Sequence, residues 1–305
     1  MQARLRAADR RPSRSAAPDL LPSADGAPLA RQLHARAGIG VAAHVIQERG
    51  LAALRMHVEQ AALVFVVRGI KTVRTAQGRT VRALPGQALV LAGHQTVDFH
   101  NDIPEGAQYE ARWLVFDAAL LEDAHYRGRA DAMERAGAAS APARVLAHPG
   151  EALARAFDAA TLALSLSERL PDAIVRLRLL EVMHWLLEHG IALRNPPVRA
   201  DASTRVRALI AGNLADAWPA DRVARELAQS QATLRRRLAA EGTSLTQLLT
   251  DARMATALSL LQATTQPVAQ VALTVGYESP SRFAVRFRHR FGFAPTAVRG
   301  HERNP

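Results

Sequence analysis

The chain has 305 residues, 49% of them apolar and 22% charged, and no cysteine. That length exceeds what one hydrophobic core usually organises and predicts two domains. No run approaches the roughly eighteen apolar residues of a membrane span, and without thiols there are no disulfides and no thiolate metal sites. The net charge of +11 is unevenly placed: from Ser203 to Pro305 fourteen arginines face seven acidic residues, the distribution expected of a domain that meets a polyanion. Lysine occurs once, as Lys71, a bias that also fits an arginine- and alanine-rich proteome.

Residues 1–30 are rich in Arg, Ala, Pro and Ser. They contain no apolar segment of the kind a secretory signal needs, so a disordered basic tail and a cytoplasmic protein are expected. Short β-prone runs follow at Ile39 to Ile46, Leu63 to Val67, Thr72 to Thr75, Ala88 to Leu91 and Ala111 to Phe116. They are separated by Gly50, Gly69, Gly78, Pro85-Gly86, Gly93 and Pro104, which argues a small antiparallel barrel or sandwich. From Glu151 the period becomes helical. Leu153, Ala156, Phe157, Ala160 and Leu164 share one face, and after Pro171 a second helix carries Ile174, Leu177, Leu180, Met183, Leu186 and Leu187. Asn195, Pro196 and Pro197 then predict a stiff connector.

From Thr204 the pattern is entirely helical. Val206, Leu209, Ile210 and Leu214 mark one helix, and Val223, Ala224 and Leu227 a second. Leu234 and Leu238 define a third, behind Ser230. Ser244 with Gln247 forms a capping box that opens a long helix to Leu261. A last pair follows, with Val271, Ala272 and Val275, a turn at Gly276, then Ser279 before a helix holding Phe283 and Phe287. Its remaining faces carry Arg282, Arg286, Arg288 and Arg290.

The two halves repeat. Val223, Ala224, Leu227 and Ala228 recur 48 residues later as Val271, Ala272, Val275 and Gly276, and Leu234 and Leu238 recur 49 residues later as Phe283 and Phe287. Two helix-turn-helix units joined by a rigid helix suit two successive major-groove turns, about 34 Å apart. The stretch from Thr204 to Arg299 resembles the DNA-binding domain of the AraC/XylS family of bacterial transcription regulators. The resemblance rests on VARELAQSQATLRRRLAAEGTSLTQLL, on Arg253 with Ala257, Leu260 and Leu261, and on VALTVGYESPSRFAVRFRHRFGFAPTAVR. It implies two recognition helices in adjacent major grooves, promoter binding, and activation through contact with RNA polymerase.

A helical wheel built on Leu234 and Leu238 sets Ala232 and Arg236 opposite the core, flanked by Arg235 and Arg237. Arg236 is the expected base contact, since a guanidinium can donate twice to guanine, while Arg237 is assigned to phosphate or solvent. In the second unit Ser281 and Val285 lie outermost, beside Arg282, Arg286 and Arg288. Val285 can touch a thymine methyl but reads no base edge by hydrogen bonding, so this helix is expected to position more than to specify. Arg286 and Arg290 have acidic neighbours such as Glu278 as alternative partners.

The glycine-punctuated strands resemble the cupin-type sensor domain that precedes this DNA-binding domain in the family, on Val64 to Gly69 and Leu84-Pro85-Gly86 with Leu89 to Leu91. That resemblance implies a small effector. A cupin metalloenzyme needs two close histidines, a glutamate and a later histidine; His57 and Glu59 are present, but His94 and His100 show no partner pair in the sequence. The expectation is therefore no catalytic residue, no metal and no cofactor. The fold class read from the chain is α+β multidomain, with a tail at 1–30, a cupin-like β-barrel at 31–150, following helices at 151–195 and an all-α domain at 203–300. Homodimerisation through the 151–195 helices is expected, with Trp185 as an anchor or core residue. A cupin-type metalloenzyme and an architectural DNA-binding protein without sequence preference are the competing readings.

Overall fold

The computed structural model describes residues 31–103, 108–137, 141–166, 169–194 and 201–299. The basic tail, Pro104 and the Asn195-Pro196-Pro197 connector lie outside them. Ten strands form two sheets among the described residues. One sheet, in spatial order, joins β1 (Gln32–Arg36), β2 (Gly40–Gln47), β9 (Tyr109–Phe116), β4 (Ala62–Arg68), β7 (Ala88–Leu91) and β10 (Ala143–Leu146). The other joins β3 (Leu51–Val58), β8 (Gln95–Asp102), β5 (Ile70–Thr75) and β6 (Thr80–Ala83), and every pairing is antiparallel.

The larger sheet is buried on both faces, which explains the unbroken apolar runs of β4 and β7. Leu63 and Phe65 of β4, with Ala88 and Val90 of β7, face an outer helical layer. Their neighbours Ala62, Val64, Val66, Leu89 and Leu91 face the smaller sheet. The helical layer comprises α1 (Ala118–Leu121), α2 (Ala124–Arg135), α3 (Gly150–Ser165) and α4 (Asp172–Glu188). Phe157 of α3 meets Phe65 edge-on with ring centroids 4.8 Å apart, and Arg112 of β9 lies over the Phe157 ring and pairs with Asp158 at 2.6 Å.

The α3 stripe is buried as its period predicts. The expected α4 stripe needs correction: Val175, Leu179, Val182, Met183 and Leu186 face the core, whereas Ile174 is 42% and Leu177 60% exposed. Apolar residues occur nearly all round α4, so the sequence period could not choose the face. These helices pack on their own barrel, and Leu162, Ile174, Leu177 and the partly exposed Trp185 remain on the outside.

The C-terminal part consists of α5 (Ala202–Ala211), α6 (Ala220–Glu226), α7 (Gln231–Ala240), α8 (Leu245–Ala263), α9 (Val268–Thr274), α10 (Pro280–Phe291) and a 3-10 turn at Pro295–Arg299. The first helix-turn-helix unit has its own small core of Val206, Ile210, Val223, Ala224, Leu234, Leu238 and Leu248. The second does not. Met254, Leu258 and Leu261 of α8, with Val271, Phe283, Phe287 and Phe291, belong to one continuous apolar core with the inner faces of the barrel. The second unit is thus docked on the two-sheet domain.

Candidate nucleic-acid interface and interdomain cavity

Serine side chains start both second helices of the repeat. Ser230 Oγ accepts from the Thr233 N–H at 3.1 Å, and Ser279 Oγ accepts from the Arg282 N–H at 3.4 Å. The preceding turns place Ala228 at φ 52° and Gly276 at φ 85°, the left-handed conformation that ends α6 and α9 in the same register. Leu234 and Leu238 point inward from α7, and Phe283, Phe287 and Phe291 from α10. The opposite faces are solvent-exposed: Ala232, Arg235, Arg236 and Arg237 on α7, and Ser281, Arg282, Val285 and Arg286 on α10, with Val285 70% exposed. Arg237 donates to Gln229 Oε1 at 3.2 Å, which turns it back toward the start of its own unit.

Arg290 departs from the expected cationic face. It lies where the C-terminal end of α10 reaches β3, pairs with Asp251 of α8 at 3.3 Å rather than with Glu278, and donates to the carbonyls of Leu54 and Arg55. One cation of the set therefore ties α10 to β3 of the two-sheet domain.

Two arginines of the resemblance act as internal clips. Arg253 donates to the carbonyls of Leu214 (3.0 Å) and Asp216 (2.9 Å), and its guanidinium lies 5.8 Å from the Tyr277 ring; this joins the linking helix to both units. Arg299 donates to the carbonyls of Leu261, Thr264 and Gln266 around the end of α8, satisfying acceptors that helix geometry leaves open.

Between the barrel and helices α5 and α8 lies a cavity of about 420 Å³. The barrel contributes Val64, Val73, Leu91, Val97 and Trp113, and the helices contribute Arg207, Ile210, Asp251, Ala255 and Gln262. Lys71 stands at its wall, 3% exposed. Its Nζ donates to Asn101 Oδ1 at 3.1 Å and lies 4.2 Å from the centroid of Phe99 and 5.6 Å from that of Trp113. Burial without an acidic partner lowers the Lys71 pKa to about 7. Asn101 donates to Gln47 Oε1 at 3.1 Å, and Gln262 of α8 donates to the same oxygen at 2.8 Å. A buried polar chain thus runs from Lys71 across the domain boundary. Trp113 Nε1, also buried, has no hydrogen-bond partner among the described residues.

Beside the cavity three side chains converge that the sequence leaves apart. His94 joins His57 and Glu59, with one ligand atom of each lying within 4.8 Å of the others, although the sequence shows no pairing for it. Their approach depends on Gly93, where a side chain would meet the Glu59 carbonyl at 2.9 Å, and on His94 at φ 51°, whose N–H donates to that carbonyl. Burial first, then the charges of Arg207 and His94, lowers the His57 pKa to about 4; burial raises that of Glu59. His100 instead pairs with Asp102 at 2.7 Å. No signal in the sequence announced Lys71, Asn101, Gln47 and Gln262 as a network; only the single lysine stood out. No helix among the described residues is long and apolar enough to cross a membrane.

A two-sheet domain joined to tandem helix-turn-helix units is the architecture of a transcription regulator with a helix-turn-helix DNA-binding domain. The comparisons agree: the AraC-like ligand binding domain matches residues 54–183, and a helix-turn-helix domain matches 223–301. The chain belongs to the AraC/XylS family of transcriptional regulators.

It is 38% identical over 109 residues to the HTH-type transcriptional regulator GadX of Escherichia coli K12, covering 36% of this chain and 40% of that one. It is 34% identical over 98 residues to the transcriptional regulator SirC of Salmonella typhimurium, covering 32% and 33%. The match thus spans at most about two-fifths of these relatives. Over the longer range the fold is similar to ToxT of Vibrio cholerae, with a TM-score of 0.57 at 12% identity, covering 85% of this chain and 97% of that one. A ToxT structure with bound unsaturated fatty acid gives the same score and identity over 87% and 98%.

Proposed function

We propose that this regulator binds a defined promoter sequence through α7 and α10 in adjacent major-groove segments, and that a small molecule in the interdomain cavity sets how the second unit is held. The observation that carries the reading is the shared core: the cavity is walled by barrel strands and by α5 and α8, so a ligand there touches both domains at once. Arg236 is assigned to base readout and Arg235 to the adjoining groove wall. Ala232, Ser281 and Val285 make close or apolar contacts, and Arg282 and Arg286 contact phosphate.

The ligand is an apolar molecule with one acceptor-bearing or anionic group. The walls are aliphatic and aromatic, Lys71 Nζ keeps donor capacity beyond its bond to Asn101, and the buried Trp113 N–H has no partner among the described residues. An acyl carboxylate of the kind ToxT binds has that chemistry. Activation by contact with RNA polymerase follows the family pattern, and the exposed Leu162, Ile174, Leu177 and Trp185 supply a self-association face.

Selection of bound fragments from genomic DNA, followed by footprinting, tests the reading. Protection of two major-groove turns on one face of one sequence is the expected result. Protection that spreads evenly over any fragment would establish an architectural protein instead.

A further inference from the structure

We propose that His57, Glu59 and His94 form a binding site for one divalent transition-metal ion at the mouth of the interdomain cavity. His57 stands near the end of β3, Glu59 just after it and His94 just before β8, and the antiparallel pairing of those strands brings the three together. His57 is already oriented for the task. Its Nδ1 faces Thr96 Oγ1 at 3.4 Å, while its Nε2 is turned to Glu59 Oε1 at 3.6 Å. An outer hydrogen bond on one ring nitrogen with the other left for the ion is the usual arrangement of a metal-bound imidazole. His94 takes a left-handed backbone, uncommon outside glycine though tolerated by histidine, and follows the tight passage at Gly93.

Two imidazole nitrogens and one carboxylate select zinc, cobalt, nickel or ferrous iron over calcium or magnesium, which take oxygen-rich shells. Metal–ligand bonds of about 2.0–2.2 Å require the present spread to contract, which rotation of the half-exposed Glu59 side chain allows. Because His57 and Glu59 also line the cavity, open coordination positions face the space assigned to the effector.

The site also bears on domain docking. Arg207 of α5 lines the same cavity and now supplies the positive charge felt by Glu59. A dication on Glu59 replaces that attraction with repulsion of Arg207, so metal binding and the seating of α5 oppose one another. By linkage, removing the arginine charge must tighten the metal.

The full chain, stripped with chelator, is titrated with Co²⁺ and Zn²⁺ by calorimetry, with the Co²⁺ absorption spectrum as a second readout. One ion per chain is expected, with a spectrum of mixed nitrogen–oxygen ligation. His94→Asn, which tolerates the left-handed backbone, and Glu59→Gln each weaken binding at least about tenfold. Arg207→Ala tightens it by about fivefold or more. Binding that persists unchanged when His57, Glu59 and His94 are all replaced, or no binding by the wild-type chain, overturns the site. An unchanged affinity in Arg207→Ala overturns the link to α5. Thermal unfolding of each variant separates lost ligation from lost fold.

Discussion

Gly276→Ala is the substitution whose cost follows most directly from the geometry. The residue stands at φ 85°, and an added Cβ would lie 2.8 Å from the Leu214 carbonyl oxygen, 2.9 Å from the Ala215 Cα and 2.7 Å from Arg253 Nη2. The guanidinium can swing aside, but the first two are backbone and belong to the segment after α5. A left-handed L-residue costs roughly 1–2 kcal/mol, and overfilling a packed site adds about 1–3 kcal/mol. Urea unfolding should therefore show about 2–5 kcal/mol of destabilisation. DNA affinity should fall as well, because the clash displaces the Arg253 clip between the two units.

The repeat contains its own control. Ala228 occupies the equivalent turn at φ 52° and already bears the conformational cost. Ala228→Gly relieves that cost while enlarging the freedom of the unfolded chain, so it should change stability by no more than about 1 kcal/mol. A Gly276→Ala protein within about 0.5 kcal/mol of wild type would refute the close approach on which the estimate rests.

Three further outcomes can be measured. Lys71 has a folded pKa of about 7 against 10.5 for the free side chain. Over that window the unfolded chain binds more protons, so Lys71 makes stability rise with pH from about 7 to about 10.5 by a few kcal/mol; thermal unfolding of Lys71→Met should lack this rise, and an unchanged slope would remove Lys71 from its apolar cage. Arg290→Ala loses an ion pair with a largely buried Asp251 and two bonds to β3; limited proteolysis should then cut faster between the domains, and an unaltered rate would show that this contact does not hold α10. Leu177→Glu places a charge on the exposed face of α4; sedimentation should show weaker self-association with unchanged melting, whereas unaltered association would move the interface elsewhere.

The DNA-binding half was legible because its signals are local. From α6 to α10 each helix opens on a serine cap or a proline, and the repeat aligns those marks 48 or 49 residues apart. The strands read in advance, β2, β4, β5, β7 and β9, are apolar or β-branched runs. β3 escaped because a bulge between Ala53 and Met56, with Arg55 at φ 51°, breaks its alternation. β8 is largely polar in sequence, and β10 finds its place only by pairing with β7.

The cavity was not legible for a different reason. Its polar chain joins Gln47 to Gln262, 215 residues apart, and no spacing rule links such positions. Likewise His94 acquires partners only when β3 and β8 pair. Arg290 looked like one more cation of a recognition helix until the docking of α10 placed it against β3.

The most direct test of the account is the affinity of Arg236→Ala and Arg282→Ala proteins for the footprinted site and for unrelated DNA across a salt series. Arg236→Ala should lose about 1–3 kcal/mol on the specific site alone and relax preference at one base pair. Arg282→Ala should weaken both DNAs alike and reduce the salt slope by about one. Equal losses on both DNAs from Arg236→Ala would contradict the assignment of α7 as the helix that reads sequence.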